Sequence, residues 1–390
     1  MASDDLKIGF LSPNYLSSYE KWIWRQVNYL SNDITFIGVH QTINKKKHGD
    51  IPLINLLKVK SYFRRLLNKI RNKYLHEYLL NYNLKLLEKN IEFNTYYIHY
   101  LTQAYQIKET LYKTEKDIYI HCHGYDVMWD LKELKYPFGN SHSKEYRDFA
   151  KSIQSKVVYI ANSGFTKKCL MEVGIKEEKI EILRFGVNRS NNLKKRSGKE
   201  SLKILFLGRL VDCKGPHLTI KAFDRASKMG LNAELLIAGD GPMMTTCRIL
   251  RNDSKFKERI KILGEVSGDH ADKLFKECHI FTAHNMKGEL SNQVEAYGVT
   301  LIEAMASGLP VVTGKSGGVM ETVLEGKTGF LFTSGNIEEH AEKLYNLGTS
   351  EELRLKMGKN SITHIKEKFS DLREREELGK ILRSGRKIKN

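Results

Sequence analysis

Short apolar runs alternate with longer amphipathic segments along most of this chain. Ten runs are rich in β-branched and aromatic residues and are mostly bounded by Gly, Pro or polar turns, which is typical of strands. Helix-length segments separate them, and this alternation favours parallel sheets with helices on both faces. The predicted strands cover residues 6–11, 34–39, 96–100, 117–121 and 156–161 in the first half, and 202–208, 233–239, 260–264, 279–283 and 309–313 in the second.

A polar, basic segment without apolar periodicity, residues 188–201, separates the two halves and is predicted to be a linker. We therefore predict an α/β protein of two Rossmann-like, doubly wound domains, residues 1–187 and 202–365. A C-terminal helix and basic tail, 366–390, is expected to pack back towards the N-terminal domain. Ligands of such sheets bind at the carboxyl ends of the strands, so the cleft between the domains is the predicted site.

Composition narrows the setting of this site. The 390 residues carry a net charge of +18, which suits an anionic partner such as nucleic acid, a membrane surface or a phosphorylated ligand, or is simply a solvated basic surface. Five scattered cysteines without a C-x-x-C pair favour a reducing compartment and argue against a zinc site. No apolar run is long enough for a membrane-spanning helix, so we expect a cytoplasmic protein, with peripheral membrane contact left open.

The segment 202–223 (LKILFLGRLVDCKGPHLTIKAF) brings two cations to one strand end. Arg209 follows the strand directly, and Lys214 precedes a helix that is predicted to begin near Pro216. Arg, Lys and the free N–H groups of a helix N-terminus together bind phosphate well. Two surface cations in a polar loop are the alternative.

Glu295 and Glu303 are separated by seven residues in VEAYGVTLIEAMASGLPVVTGKSGG (294–318). Glu303 completes a T-x-x-E pattern from Thr300, so it is either part of a capping box or an acceptor for ribose hydroxyls. Gly317 and Gly318 open a turn whose N–H groups could meet phosphate oxygens.

The motifs GRLVDCKG, IAGDGPM, IKILGEV and E-x7-E followed by SGGVMETVLEGKTGFLF occur in this order over about residues 202–332. In order and spacing they resemble the family 4 glycosyltransferases, which have the GT-B fold and retain the anomeric configuration. The resemblance implies that Arg209 and Lys214 hold a diphosphate, that Glu303 binds the ribose and that Glu295 contacts the donor sugar. The expected donor contacts from the same motifs are Gly239, Leu263, Gly264, Val266, Gly298, Val299 and Thr300.

Two features depart from the family. The usual E-G-F-G is Glu295-Ala296-Tyr297-Gly298 here, and the preceding loop, 283–293, is longer and more polar than in many members. Because that loop would face the donor sugar, the identity of the sugar stays open, and UDP-hexoses and GDP-mannose both fit.

In the first half, HCHGYDVMWD (121–130) follows a predicted strand. A single histidine there is ordinarily structural, but the family carries a similar H-G-x-D segment, which implies that His123 contacts the donor sugar. Asp126 is expected to orient the loop or the histidine.

Two further segments of the first half bear on the family. ANSGFTKKCLMEVGIKEEKIEILRFGVN (161–188) also resembles it. Ser17 and Ser18 replace its usual Gly-Gly pair and are candidate phosphate or acceptor contacts.

The predicted activity is transfer of a hexose-type sugar to a glycan or lipid-linked acceptor in bacterial surface polysaccharide or lipopolysaccharide synthesis. The leaving diphosphate needs charge stabilisation, which Arg209 and Lys214 can supply. The chain contains no D-x-D, so we expect no metal and no cofactor beyond the donor. The alternatives are another GT-B enzyme, such as a nucleotide-sugar epimerase or a phosphorylase, and a nucleic-acid-binding protein, for which no RNA-recognition motif is visible.

The stretch 59–80 (VKSYFRRLLNKIRNKYLHEYLL) combines a helical apolar stripe from Val59 to Tyr74 with many basic residues. A basic amphipathic helix of this kind either lies on an anionic membrane surface or packs its stripe on the domain beside it. A lipid-linked acceptor would suit the first interpretation.

Overall fold

The computed structural model describes residues 5–15, 20–40, 45–57, 73–132, 143–188 and 201–384. Two α/β domains with largely parallel sheets confirm the predicted fold class, and all ten predicted strands are present within one or two residues of their expected bounds. Ser17, Ser18, the basic residues 58–72 and most of the predicted linker lie outside the described residues.

The N-terminal domain is built on an eight-stranded sheet of order β3-β4-β2-β1-β5-β6-β7-β8. Its pairs are parallel except for β3 with β4. The strands are β1 (Ile8–Ser12), β2 (Ile34–Val39), β3 (Lys47–His48), β4 (Ile51–Asn55), β5 (Thr95–His99), β6 (Asp117–Cys122), β7 (Val157–Ala161) and β8 (Ile180–Ile182).

Helices cover both faces of this sheet, because β1, β5, β6 and β7 are apolar on both sides and buried along almost their whole length. They are α1 (Lys21–Tyr29), α2 (Lys73–Asn90), α3 (Leu101–Gln106), α4 (Lys108–Lys113), α5 (Lys144–Ser152) and α6 (Gly164–Glu172).

The C-terminal domain has a six-stranded parallel sheet of order β11-β10-β9-β12-β13-β14. The strands are β9 (Leu202–Leu207), β10 (Ala233–Ala238), β11 (Ile260–Gly264), β12 (Ile280–Ala283), β13 (Val311–Gly314) and β14 (Gly329–Phe332). The helices are α7 (Pro216–Lys228), α8 (Met244–Asp253), α9 (Gly268–Glu277), α10 (Val299–Ala306), α11 (Ile337–Thr349) and α12 (Glu351–Lys368). The strand order reverses beside β9, where such folds bind ligands.

The last helix, α13 (Asp371–Ser384), returns to the N-terminal domain. Leu378, Ile381 and Leu382 join a hydrophobic cluster formed by β1, β2 and α1. Glu374 is buried in the same region and accepts hydrogen bonds from Arg25, Gln26 and the Gly186 backbone. The chain therefore completes its first domain with its last helix. Across the described ranges, none of the helices is long and apolar enough to cross a lipid bilayer.

Candidate active site

Three glycines lie side by side where strands of the C-terminal sheet end. Gly208 donates to the Ala238 carbonyl, and Gly239 donates to the Gly264 carbonyl. A Cβ on Gly239 would come within 1.9 Å of the Gly208 carbonyl oxygen, and its φ of 138° is left-handed. Only glycine fits this position. The exposed Asp240 and Leu263 flank the row, so a ligand on this edge would meet mostly backbone.

The two predicted cations flank the start of α7. Lys214 ends a short 3-10 turn, Gly215 follows with φ 54°, and Pro216 is the first helical residue, where its missing N–H costs no hydrogen bond. Gly215 packs on the His284 backbone, which leaves no room for a side chain. Arg209 is exposed, and no ion pair of its side chain occurs within the described ranges. The helix start and both cations thus share one edge, as predicted.

Glu295 is the ion-pair partner of Lys214, with 2.7 Å between Oε2 and Nζ. Its Oε1 accepts from the backbone of Gly298 at 3.0 Å. Burial acts to raise the pKa of Glu295, but the Lys214 ammonium and the backbone N–H groups outweigh it, so the pKa lies below its usual value. The carboxylate is therefore charged at neutral pH and fixes the Lys214 ammonium at the edge of the sheet.

Glu303 lies half-buried on α10. The capping-box alternative is wrong, because the N-cap is Gly298 in the left-handed conformation and no side chain caps the helix. Thr300 is already inside the helix. The N–H groups of Gly298, Val299 and Thr300 form the first turn directly after Glu295. This turn is the second helix N-terminus at the site.

Gly317 and Gly318 pack on the backbone of Glu295 and Ala296. A Cβ on Gly318 would lie 1.8 Å from the Ala296 carbonyl oxygen, and the Gly318 N–H donates to the Glu295 carbonyl at 3.0 Å. This N–H is therefore engaged within the fold. The glycine pair instead sets the position of Glu295.

His123 lies in the loop after β6, opposite this edge. The loop reaches the C-terminal domain at Gly124, where a Cβ would lie 2.1 Å from the Ala296 Cβ. Asp126 is fully buried, and its carboxylate accepts from the backbone of His123, Gly124 and Leu101 at 2.8 to 3.0 Å. Burial raises the pKa of Asp126 to about 6. Asp126 therefore shapes the loop through backbone N–H groups.

Buried imidazoles form the rest of this edge. Nitrogens of His99, His121 and His123 lie within 4.8 Å of one another, which is the requirement for a three-histidine metal site. However, His99 Nδ1 and His123 Nε2 are 3.0 Å apart in rings inclined by 13°, so they bond each other. His121 stacks on His123 with ring centroids 4.6 Å apart. Lone pairs of parallel rings do not converge, so this arrangement does not fit a metal ion.

A hydrogen-bonded chain fixes the tautomer of His121. The Glu374 carboxylate accepts from Gln26, the Gln26 carbonyl accepts from the Tyr97 hydroxyl, and Tyr97 lies 2.8 Å from His121 Nδ1. Since the Tyr97 proton is used, His121 Nδ1 must donate. Burial lowers the pKa of His121 to about 3 and that of His99 and His123 well below the usual range. All three imidazoles are neutral at pH 7.

Four residues that the sequence did not single out join the two domains. Ser163 donates to the Ala296 carbonyl at 2.7 Å, and Tyr297 donates to the Phe185 carbonyl at 2.5 Å. Glu321 accepts from the first N–H groups of α6 and pairs with Arg184 at 3.0 Å. The only available signal was the N-S-x-x-T segment, where Ser163 caps α6.

The longer loop before Glu295 is held by one carboxylate from each domain. The buried Asp212 carboxylate accepts from the backbone of Leu290 and Ser291 and from the Ser291 hydroxyl at 2.8 to 2.9 Å. Across the cleft, Asp130 pairs with Lys287 at 2.5 Å and accepts from Asn292 through its carbonyl. The loop therefore spans from the cation-bearing turn to the N-terminal domain.

A second pair of histidines supports the start of this loop. The Gly335 N–H donates to His284 Nε2, so His284 Nδ1 donates to His340 Nδ1 at 2.9 Å. His340 Nε2 then donates to Thr282, whose hydroxyl donates to the Val312 carbonyl. Burial lowers the pKa of His284 to about 3.

Comparison with known proteins bears on this geometry. Residues 189–364 match the family described as glycosyl transferases group 1. An uncharacterized glycosyltransferase from Methanocaldococcus jannaschii is 27% identical over 58% of this chain and 66% of its own length. The capsular polysaccharide biosynthesis glycosyltransferase CapM from Staphylococcus aureus is 29% identical over 50% of this chain and 53% of its own length. The chain thus spans less than two thirds of either relative.

Anabaena HepE in complex with UDP and glucose superposes on 97% of this chain and 100% of its own with a TM-score of 0.73. At 17% identity this likeness concerns the fold, which is GT-B.

Proposed function

Residues 189–364 make the C-terminal domain of this chain a member of the group 1 glycosyl transferases, and from that premise we propose that the protein transfers a hexose-type sugar from a nucleoside-diphosphate donor. The acceptor is a glycan or a lipid-linked saccharide of bacterial surface polysaccharide or lipopolysaccharide synthesis. The staphylococcal relative is named for capsular polysaccharide biosynthesis, which supports this setting. The observation that carries the proposal is the Lys214–Glu295 ion pair, which lies beside the N-termini of two helices, α7 and α10.

In this proposal the diphosphate lies between Arg209 and Lys214. An ammonium has three N–H donors, and within the described ranges Glu295 is the ion-pair partner of Lys214. The first turns of α7 and α10 add backbone N–H groups and the positive ends of two helix dipoles. These fixed groups stabilise the charge that develops on the leaving diphosphate without moving a proton. We expect turnover to persist in EDTA.

The nucleoside lies along the glycine-lined edge, with Glu303 on the ribose and the backbone near Gly239, Leu263, Gly264 and Val266 beside the base. Glu295 and His123 position the sugar. His123 Nδ1 is buried and has no hydrogen-bond partner among the described residues. This nitrogen could therefore form a hydrogen bond with a hydroxyl of the sugar. The Tyr100 ring lies beside this imidazole, with 4.3 Å between the ring centroids.

Retention of configuration follows if the acceptor attacks from the leaving-group face, with a donor phosphate oxygen taking its proton. No strong side-chain base is needed in such a step, and a covalent nucleophile is not part of the proposal. The anomeric proton coupling of the product, measured by NMR, tests this point, and an inverted product would refute it.

Calorimetry with UDP, GDP and their hexose conjugates tests the proposal as a whole. A native-state ligand at 100 times its Kd should stabilise the protein by about 2.7 kcal/mol, which a thermal-shift assay detects. No binding by any member of a broad donor panel would overturn the proposal. Arg209→Ala should weaken binding of the diphosphate forms while nucleosides bind as before.

Two alternatives remain to be separated. An epimerase would convert the donor without an acceptor, so incubation with donor alone distinguishes it from a transferase. A nucleic-acid-binding protein is motivated by the net charge of +18. Such binding falls steeply with salt, and a gel shift that fails at moderate salt would dispose of this alternative.

A further inference from the structure

Helix α2 exposes a row of large side chains along one face. Tyr78, Tyr82 and Leu86 follow at intervals of four residues and are 63%, 50% and 40% exposed. Residues four apart lie on the same face of a helix, and the rings of Tyr78 and Tyr82 stack 6.2 Å apart at 16°. Single exposed apolar residues are common on protein surfaces, but a contiguous row marks a contact surface.

The charges of this helix are divided between its two sides. Lys85 and Lys89 are exposed beside the row. The helix's two half-buried carboxylates face the protein: Glu77 pairs with Lys108 at 3.1 Å, and Glu88 accepts from the Tyr96 and Thr114 hydroxyls. Among the described residues of α2, the exposed charges are therefore positive only.

We infer that this tyrosine face, defined as Tyr78, Tyr82, Lys85, Leu86 and Lys89, lies on an anionic lipid surface. Tyrosine has an apolar ring and a polar hydroxyl, which suits the headgroup region of a bilayer. Lysine keeps its ammonium near lipid phosphates while its alkyl stem covers apolar surface. Anionic headgroups complement both lysines and the net charge of +18.

The tyrosine face runs back to the cleft. His76, in the first turn of α2, lies 5.9 Å from His40 between ring centroids, and His40 bonds Gln103 at 3.0 Å. His40 follows β2, and Gln103 lies on the helix that follows β5, so α2 begins at the carboxyl edge of the sheet. A bilayer on the tyrosine face would lie beside the mouth of the cleft. This last link, to a lipid-linked acceptor, rests on the proposed function, whereas the lipid contact does not.

Vesicle flotation tests the contact. The full chain is mixed with vesicles of phosphatidylcholine alone or with 3:7 phosphatidylglycerol to phosphatidylcholine, at low and high salt. We expect binding to the anionic vesicles that weakens with salt. The triple variant Tyr78→Ser/Tyr82→Ser/Leu86→Ser and the charge reversal Lys85→Glu/Lys89→Glu should each bind about tenfold more weakly or worse, since each lysine near such a surface contributes on the order of 1 kcal/mol.

Matched controls come from the other domain. Ile249 and Leu355 are 55% and 58% exposed, so Ile249→Ser/Leu355→Ser removes comparable apolar surface. Lys356→Glu/Lys359→Glu on α12 makes the same change in net charge. Both controls should bind vesicles more strongly than the tyrosine-face variants. Because all five native cysteines are buried, Tyr82→Cys and Ile249→Cys can be labelled selectively with an environment-sensitive dye. Only the label at position 82 should brighten on vesicles.

Several results would overturn the inference. They are equal binding by the tyrosine-face and control variants, no flotation of the wild type at low salt, or a label at position 82 that does not respond. A wild-type dimer that the triple variant dissolves would assign the face to a second copy of this chain. Donor binding measured on the same samples separates the two proposals. Vesicle binding without donor binding would contradict the proposed function alone. Donor binding without vesicle binding would contradict only this inference.

Discussion

The two edges that face each other across the cleft solve different problems with different chemistry. The C-terminal edge holds charge: Lys214 and Glu295 are paired at 2.7 Å, and two helix N-termini lie beside them. The N-terminal edge holds neutral rings: His99, His121 and His123 pack together, and burial keeps each imidazole uncharged. The charged edge suits an anionic group, whereas the neutral edge presents polar rings that do not repel the cations opposite.

The neutral edge depends on a buried carboxylate beneath it, so Glu374→Ala should have the largest effect. This variant would leave Arg25 and Gln26 without their hydrogen-bond acceptor. It would also remove the first member of the hydrogen-bonded series that runs through Gln26 and Tyr97 to His121. Removing one partner of a buried ion pair costs about 3–5 kcal/mol, which urea unfolding measures. The control is Glu338→Ala, whose pair with Arg225 is exposed and should contribute about 0–1 kcal/mol. Equal losses in the two variants would contradict the prediction.

The charged edge is tested by Lys214→Ala. We expect kcat/KM to fall by roughly 10²–10³, as for removal of one fixed donor to a developing negative charge. Lys228→Ala is the control, because it removes a lysine from the far end of α7, the helix that begins just after Lys214. Its kcat/KM should stay within about twofold of the wild type. Full turnover by Lys214→Ala in a donor-saturated assay would refute the assignment.

Asp212→Ala probes the loop that links the two edges. It removes the acceptors of Leu290 and Ser291, and leaving such buried donors without partners costs about 1–3 kcal/mol. We expect KM for the donor to rise more than kcat falls, because the loop positions the ligand rather than reacting with it. Asp253→Ala is the control, because it removes an exposed carboxylate at the end of α8 that lies away from the proposed donor site.

The smallest effect is that of a single histidine in acid. His40, His121 and His284 have their pKa lowered to about 3 by burial, so between pH 6.5 and 3 the unfolded chain binds protons that the folded chain does not. Stability therefore falls as pH falls below 6.5, by about 1.4 kcal/mol per pH unit for each histidine.

Asp126, with its pKa raised to about 6, opposes this trend between its unfolded value and pH 6, since the folded form then binds the extra proton. The histidines outnumber it, so the net slope keeps its sign. His40→Gln should lower the proton uptake on unfolding at pH 5.5 by about one. A slope that is unchanged in this variant would show that His40 is already protonated in the fold.

The sequence was sufficient to predict the architecture, because the longer buried strands that define both sheets have a recognisable apolar pattern. All ten predicted strands exist, whereas β3, β4, β8 and β14 were missed. In β3, β8 and β14, two to four residues are too few for a period, and in β4 Pro52 weakens the strand signal. The capping-box alternative failed for a local reason: Gly298 adopts the left-handed conformation and starts the helix before Thr300.

The candidate site divides in the same way. Arg209, Lys214 and the helix start are neighbours in sequence, so strand-end logic placed them together. Two ion pairs join residues far apart in sequence: Glu321 with Arg184 across 137 residues, and Glu374 with Arg25 across 349. No local sequence pattern predicts such contacts. His99 was not identified for the same reason, because its partner His123 comes from the loop after β6, the strand whose His121 lies in register with His99.

The docking of α13 has a consequence for synthesis. The apolar cluster of the first domain needs Leu378 and Leu382, which leave the ribosome only after the whole C-terminal domain. A nascent chain ending near residue 188 therefore lacks part of the cover on one face of its sheet, and that domain matures only after the C-terminal domain has been synthesised. Any shortened gene that stops before position 371 should yield a protein whose amino-terminal half, not its carboxyl-terminal half, aggregates or is degraded.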